Sequence, residues 1–241
     1  MSASPKRIAV ILAAGSGNRI GAGINKVWLP LGGQELLTWS FKWLIDTKLF
    51  YRYVLVVHPT EHEKARSVLR AYVDAPVDLV DGGITRHDSE RHALEYLAPA
   101  IETGECDLVL IHDGARPLTS PELITEIVAA AETHGGAVPS LPTSVLTGHA
   151  NQTGEIMRVQ TPQVFRAQPL LYSYREAEKD GFQGSDTAMC LEKYAPELEI
   201  MCVPGSAQNI KVTYAQDLIL AEHILASHHF NLHTRSHHGK Q

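Results

Sequence analysis

The chain of 241 residues is short of cysteine, of excess charge of either sign and of long apolar runs, and each shortage removes a class of protein. Its three cysteines, Cys106, Cys190 and Cys202, stand far apart, without a Cys-x-x-Cys pair. That argues against a disulfide framework or a zinc site and for the reduced thiols of a cytoplasmic protein. No apolar stretch reaches the ~20 residues needed to cross a bilayer, and the opening Met-Ser-Ala-Ser-Pro-Lys lacks a secretory pattern, so no membrane partner is expected. A formal net charge of -6 offers no basic face for general nucleic-acid binding. Any anion site must therefore be local. The Gly-Lys-Ser/Thr of a P-loop is missing too, and Ile20 stands where the dinucleotide fingerprint needs its third glycine.

What is present centres on Arg7 to Lys26. Ile8 to Leu12 is a continuous apolar run that suits a strand buried on both faces of a parallel sheet. It leads into Ala13-Ala14-Gly15-Ser16-Gly17-Asn18-Arg19, where small residues let backbone N–H groups approach an anion and an arginine can clamp it. Lys26 follows after a further glycine-rich stretch. This is the outline of a polyphosphate cradle at the end of a first strand.

Further along, helical spacing predicts a helix over Glu35–Ile45, a strand over Tyr53–Val57, and a helix capped by Thr60 and running to about Tyr72. Strands follow at Val77–Val80 and Leu108–Ile111, and Ser120-Pro121-Glu122 opens another helix. Helices at Ala167–Lys179 and Ser185–Tyr194, a strand at Glu199–Val203 and a helix at Ala215–Ala226 complete the pattern. Alternating helices and mostly apolar strands give an α/β fold, a doubly wound, mostly parallel sheet. Proline-broken extended sequence at about 138–164 reads as a β-arm projecting from it, which a second subunit would cover. Residues 228–241, polar and rich in histidine, read as a disordered tail.

Ligands of such sheets bind beyond the carboxyl ends of the strands. Three of those ends carry unusual residues: the glycine loop, Asp81-Gly82-Gly83, and His112-Asp113-Gly114. Asp113, facing a phosphate cradle, suits Mg²⁺, which takes few carboxylates and many phosphate oxygens; a turn aspartate is the plain alternative. Arg116 suits a phosphate. Lys211, between Ile210 and Val212, is either an edge-strand residue facing solvent or an active-site cation. Asp217 falls where the first turn of the last helix is expected, and Thr161 and Ser185 suit helix caps equally well.

Taken in order, LAAGSGNR with Lys26, DGG with Arg86 and Asp88-Ser89, HDGARP, TPQVF, and NIKVT with Asp217 resemble the sugar-phosphate cytidylyltransferases of the 2-C-methyl-D-erythritol 4-phosphate type, from Arg7 to about Leu225. The resemblance makes the sheet Rossmann-like and implies a single nucleotidyltransferase domain over residues 1–227 that uses CTP and Mg²⁺ and forms a homodimer through its β-arm. It implies that Ala13, Ala14, Gly15, Gly17 and Asn18 wrap the CTP phosphates and ribose, and that Gly82, Asp88 and Ser89 lie along the cytosine. Arg19, Lys26 and Lys211 would stabilise the transferring phosphate. Asp113 and Asp217 would hold the metal, and Arg116, Thr143, Thr161 and Ser185 would bind the acceptor.

Four departures fall together. Asn25 stands where the family usually has proline, Pro142 where it has aspartate, Ser185 where it has threonine, and Thr153 where an arm arginine reaches the sugar phosphate of the neighbouring subunit. Arg158 lies five residues further on. The nucleotide half of the pattern is kept and the acceptor half altered. Methylerythritol phosphate is the expected acceptor and ribitol 5-phosphate the alternative, with a non-catalytic CTP-binding paralogue as the reading from another class.

Overall fold

The computed structural model describes residues 6–15, 24–142, 149–150 and 156–237. Strand β1 (Arg7–Leu12) opens the chain, and a small hairpin, β2 (Pro30–Leu31) and β3 (Gln34–Glu35), leads into helix α1 (Leu36–Asp46). β4 (Arg52–Val57), α2 (His62–Tyr72), β5 (Val77–Asp81), α3 (Arg86–Glu102) and β6 (Leu108–Asp113) follow. After α4 (Pro121–His134) come β7 (Gly135–Pro142), β8 (His149–Ala150), β9 (Ile156–Val159) and β10 (Gln163–Arg166). α5 (Ala167–Lys179), α6 (Thr187–Tyr194), β11 (Glu199–Pro204) and α7 (Ala215–His237) close it.

Among the described residues the main sheet runs β5-β4-β1-β6-β10-β7-β9-β8, with β11 along the other side of β7. β1, β4, β5 and β6 are parallel to one another, and so are β7 and β11. β10 is antiparallel to both β6 and β7. The expected doubly wound, mostly parallel sheet is present.

The apolar runs have no polar face because both faces are covered. Alternate residues, Ile8 and Val10 with Val54, Val56, Val109 and Ile111, pack with side chains of α3, α5 and α6. Their neighbours Ala9 and Ile11, with Leu55, Val57, Leu108 and Leu110, pack with those of α1, α2 and α4. Each fully buried side chain of this kind contributes roughly 1.5–3 kcal/mol relative to exposure. A third cluster joins Leu31, Leu36, Trp39 and Leu118 to Val212, Ala221 and Leu225, seating the end of the chain against its beginning.

Several expectations are corrected. α3, with seventeen residues, stands between β5 and β6, where no helix is expected from the sequence. Thr60 does not cap α2: it lies in a 3-10 turn whose own cap is His58, and Glu61 precedes α2 without a side-chain cap bond. Ser120 does cap α4, accepting from the Leu123 N–H at 3.2 Å. Gln163–Arg166 belongs to the central sheet, where Val164 and Phe165 are buried. Among the described residues of the expected arm, the end of β7 pairs with β9 through Ser140–Val159 and Pro142–Met157, and β9 pairs with β8. The last helix runs on past Ala226 to His237, into the stretch read as a tail.

Candidate active site

The carboxyl ends of β1, β4, β5 and β6 open into a cleft of about 1030 Å³. Ala13, Ala14 and Gly15 form one wall, and Gly82, Gly83, Asp88 and Ser89 another; Asp113, Lys26 and Lys211 complete it. Among the described residues, Lys26, Arg86, Arg91 and Lys211 line it against two acids, Asp88 and Asp113. An acidic protein thus builds a locally cationic hollow, which suits an anionic ligand.

Two turns meet at its floor. The Ala13 N–H donates to Val56 O at 2.8 Å and the Gly82 N–H to Val57 O at 2.7 Å, which holds the end of β1 beside the end of β5. A Cβ on Gly82 would collide with the Ala14 side chain, so the close approach requires glycine. Beyond it, Thr85 and Asp88 form a capping box at the start of α3: Thr85 Oγ1 accepts from the Asp88 N–H at 3.1 Å and Asp88 Oδ2 from the Thr85 N–H at 3.0 Å. Ser89 Oγ accepts from the Gly83 N–H at 3.1 Å and donates to Thr85 O at 3.0 Å. Both side chains are thus committed to holding the turn.

Asp113 ends β6 with its carboxylate between cations. Oδ2 accepts from Lys211 Nζ at 2.6 Å and Oδ1 from Arg86 Nε at 3.2 Å. Burial works to raise its pKa, but Arg86, Lys211 and Arg116 outweigh that and hold it well below the usual carboxylate range. Lys211 is in no strand; Val212 beside it is buried and its N–H donates to Ala115 O at 2.8 Å, which turns Lys211 toward Asp113. Lys26 opens a 3-10 turn capped by Asn25, whose amide donates to Ala13 O at 2.7 Å and to Glu61 Oε2 at 2.9 Å. Asn25, placed where the family has proline, thereby ties the lysine turn to the end of β1.

Behind Asp113 lies a buried polar chain. The Asp113 N–H donates to Thr161 Oγ1 at 3.0 Å, and that hydroxyl lies 3.5 Å from His112 Nδ1. His112 Nε2 faces Arg116 O at 3.1 Å, and since a carbonyl only accepts, Nε2 carries the proton. Burial pushes the His112 pKa down to about 4, so the ring is neutral at pH 7. Arg116 donates from Nη1 to Asn209 O at 2.7 Å, while its buried Nε has no partner among the described residues. Burial, joined by the like charges of Arg158 and Arg86 and opposed by Asp113, lowers its pKa.

Not every expected residue arrives. Ser16 to Ala22, with Gly17, Asn18 and Arg19, and likewise Thr143 and Thr153, lie outside the described residues. Asp217 does not line the cleft: its Oδ2 accepts from the Thr213 and Tyr214 N–H groups, both at 2.8 Å, as a cap at the start of α7. Ser185 is exposed and its hydroxyl lies 3.9 Å from Met189 Sδ. Other residues do take part without having been singled out. Asn209, fully buried, donates to Thr161 O at 2.9 Å and accepts from Thr119 Oγ1 at 2.9 Å, bracing the Lys211 segment against the Thr161 turn. Arg86, noted only as part of a motif, and Glu90 one turn on bring a buried ion pair to Asp113. The Thr85-x-x-Asp88 spacing ahead of Ala93, Leu94 and Leu97 is the signal that locates α3 and thus Arg86; a lone Glu90 in a charged stretch carries none.

The donor set fits Mg²⁺ only as a partly phosphate-held ion. Among the described residues no group of three His, Cys, Asp or Glu side chains forms a protein cage. Asp113 spends one lone pair of each oxygen on a cation and keeps the second, so it can add a metal without giving up either bond.

Comparison with known proteins decides the family. A model of 2-C-methyl-D-erythritol 4-phosphate cytidylyltransferase matches residues 7–227. The chain belongs to that family. The curated family protein of Cereibacter sphaeroides is 38% identical over 227 residues, covering 90% of this chain and 96% of that one. The crystal structure of the Thermus thermophilus family protein superposes with a TM-score of 0.65 at 28% identity, over 90% of this chain and 97% of that one. That of 4-diphosphocytidyl-2C-methyl-D-erythritol synthase from Anaerococcus prevotii, at 24% identity, shares the fold with a TM-score of 0.78 over 93% of this chain and all of that one. No helix of the described residues is long and apolar enough to cross a membrane.

Proposed function

We propose that this chain joins CTP to 2-C-methyl-D-erythritol 4-phosphate, giving the cytidine diphosphate polyol and pyrophosphate in isoprenoid precursor synthesis. The observation that carries the reading is Asp113 held between Lys211 and Arg86 in a cationic cleft, in a chain of this family. The backbone of Ala13 to Gly15 takes the phosphates, with Gly17, Asn18 and Arg19 continuing that loop, and the Gly82–Ser89 turn takes the cytosine. Lys26 and Lys211 stabilise the charge that develops as the acceptor phosphate oxygen attacks the α-phosphorus in line and pyrophosphate leaves. Positioning and charge carry such a transfer; no general base is needed, because a phosphate nucleophile is already ionised at pH 7. Asp113 would hold Mg²⁺, which when bound neutralises phosphate charge. Arg116, whose Nε has no partner among the described residues, and Arg158, whose charge is felt at Arg116, would supply charge to the acceptor phosphate, and Thr161 would position Asp113 from behind; Thr143, the other acceptor residue expected, lies outside the described residues. The enzyme works in the cytoplasm as a homodimer whose arms cover each other.

Ribitol 5-phosphate remains the second reading, favoured by one group of observations: Pro142, Thr153 and Ser185 all depart from the family on the acceptor side. Pyrophosphate release with CTP and Mg²⁺, acceptor by acceptor, tests both. Release with methylerythritol phosphate is expected. Release only with ribitol 5-phosphate would replace the acceptor, and silence with both, with CTP still bound, would leave a nucleotide-binding paralogue.

A further inference from the structure

Beneath Asp113 the protein buries a second carboxylate with no part in the reading above. Glu90 is 1% exposed and sits one helical turn after Arg86 on α3. Its Oε1 lies 2.7 Å from Arg86 Nη1 and accepts from Thr187 Oγ1 at 2.5 Å; Oε2 accepts from Tyr174 Oη at 2.6 Å. Tyr174 and Thr187 are themselves fully buried, on α5 and at the first residue of α6. His87 stacks on the Tyr174 ring at 4.7 Å, which fixes the phenol from its other side.

Arg86 is the link to the chemistry. It touches Glu90 with one end of its guanidinium and Asp113 with Nε. The 2.7 Å contact to Glu90 is an ion pair without hydrogen-bond geometry, and among the described residues Nη1 and Nη2 have no hydrogen-bond partner, so the Nε bond to Asp113 and the charge of Glu90 are what hold the side chain. A free arginine samples many rotamers, and one held by a buried counter-charge at one end and a hydrogen bond at Nε samples fewer. Replacing buried ionic groups with apolar ones often leaves a protein as stable or more so, so stability is a weak reason for this arrangement. What the apolar alternative lacks is a fixed direction for Arg86, and hence for the carboxylate that faces the cleft.

We propose that Glu90 is a positioning residue for the reaction, anchored by Tyr174 and Thr187 so that it holds Arg86, and through Arg86 holds Asp113 at the floor of the cleft. The inference rests on the cytidylyltransferase reading for its kinetic consequence. It also ties α5 and α6, on the side of the sheet away from α1, to the nucleotide site.

The experiment compares Glu90→Leu, which fills the space without accepting a hydrogen bond, with Glu90→Gln, which still accepts. Each is assayed for pyrophosphate release, for CTP affinity and for the Arg86 Nε–H resonance by NMR, which a bound guanidinium keeps sharp and slow to exchange. Glu90→Leu is expected to lose roughly 10- to 100-fold in kcat, with CTP affinity little changed and the Arg86 signal lost. Glu90→Gln is expected to restore most of both. Should Glu90→Leu fail to fold, the double variant Tyr174→Phe, Thr187→Val removes the anchors and leaves the ion pair; it should lower kcat and broaden the same resonance. A folded Glu90→Leu or double variant with normal kcat and an unchanged Arg86 signal would overturn the proposal. If the unsubstituted protein releases no pyrophosphate with any acceptor, the cytidylyltransferase reading fails by itself. The Arg86 resonance then still decides whether Glu90 holds the guanidinium.

Discussion

Lys211 Nζ donates to Asp113 Oδ2 at 2.6 Å across 98 positions of sequence. The pair puts a partly exposed cation and a buried anion on one edge of the cleft, where each governs the other's approach to a phosphate. Lys211→Met keeps the stem and removes the charge. It is expected to cost about 1.5–3 kcal/mol of transition-state stabilisation, or roughly 10- to 100-fold in kcat/KM. Steady-state pyrophosphate release measures it, and a variant that turns over like the unsubstituted protein would take Lys211 out of the reaction.

The two aspartates expected to bind metal separate cleanly. Asp217→Ala removes the acceptor of two backbone N–H groups at the start of α7 and should cost about 0.5–2 kcal/mol of stability. The Mg²⁺ dependence of turnover should stay where it was. Asp113→Asn should instead raise the Mg²⁺ concentration needed for turnover. A denaturant melt and a Mg²⁺ titration on both variants make the comparison; a Mg²⁺ shift in Asp217→Ala would return that residue to the metal site.

Gly82→Ala tests the meeting of the two turns. Its new methyl faces the Ala14 side chain, which has no rotamer with which to yield, so the backbone must move. Overpacking of this kind costs about 1–3 kcal/mol. CTP affinity, read by calorimetry, should fall further than this stability loss alone would suggest. Unchanged affinity would mean that the Ala14–Gly82 contact does not shape the nucleotide site.

His112 gives stability a pH dependence of known sign. Its folded pKa of about 4 lies below the unfolded value of 6.5, so below pH 6.5 the unfolded chain takes up a proton that the folded chain refuses. Stability from this ring is therefore full above the unfolded pKa and is lost as pH falls toward the folded one. Between about pH 7 and about pH 5 the loss amounts to ~2 kcal/mol. Urea melts of the unsubstituted protein and of His112→Gln at the two pH values should differ by that amount. A parallel pH response in the two would refute it. Asp113 adds a loss of the same sign only at lower pH, as pH falls below the ordinary carboxylate range, because its own pKa is depressed.

The strands of this protein were legible because they are buried on both faces: Ile8–Leu12, Tyr53–Val57 and Leu108–Ile111 leave no polar residue to blur the run. The cleft-lining residues were legible where a motif sits at a strand end, as with Gly82 and Asp113, whereas Lys211, which lies in no strand, was singled out by its place between Ile210 and Val212. α3 was not, because its first two turns, Arg86 to His92, are almost wholly polar and its apolar stripe begins only at Ala93. β10 was missed for the opposite reason. Four residues are too few to show a period, and their antiparallel place between β6 and β7 is a matter of long-range pairing. Asp217 stands in the first turn of the last helix, where its spacing placed it; its metal role was implied by the resemblance alone. Glu90 was invisible, since only the folded chain buries it.

The seating of Val212, Ala221 and Leu225 against Leu31, Leu36 and Trp39 bears on how the protein comes into being. A ribosome delivers the glycine turn, Lys26 and Asp113 long before it delivers Lys211. Until the Lys211 segment and α7 have emerged and docked, Asp113 has Arg86 and Arg116 beside it but lacks the cation that donates to its Oδ2. The nucleotide hollow is therefore completed late, by a segment far from the glycine turn in sequence, and a chain interrupted before Lys211 carries most of the sheet without a complete site.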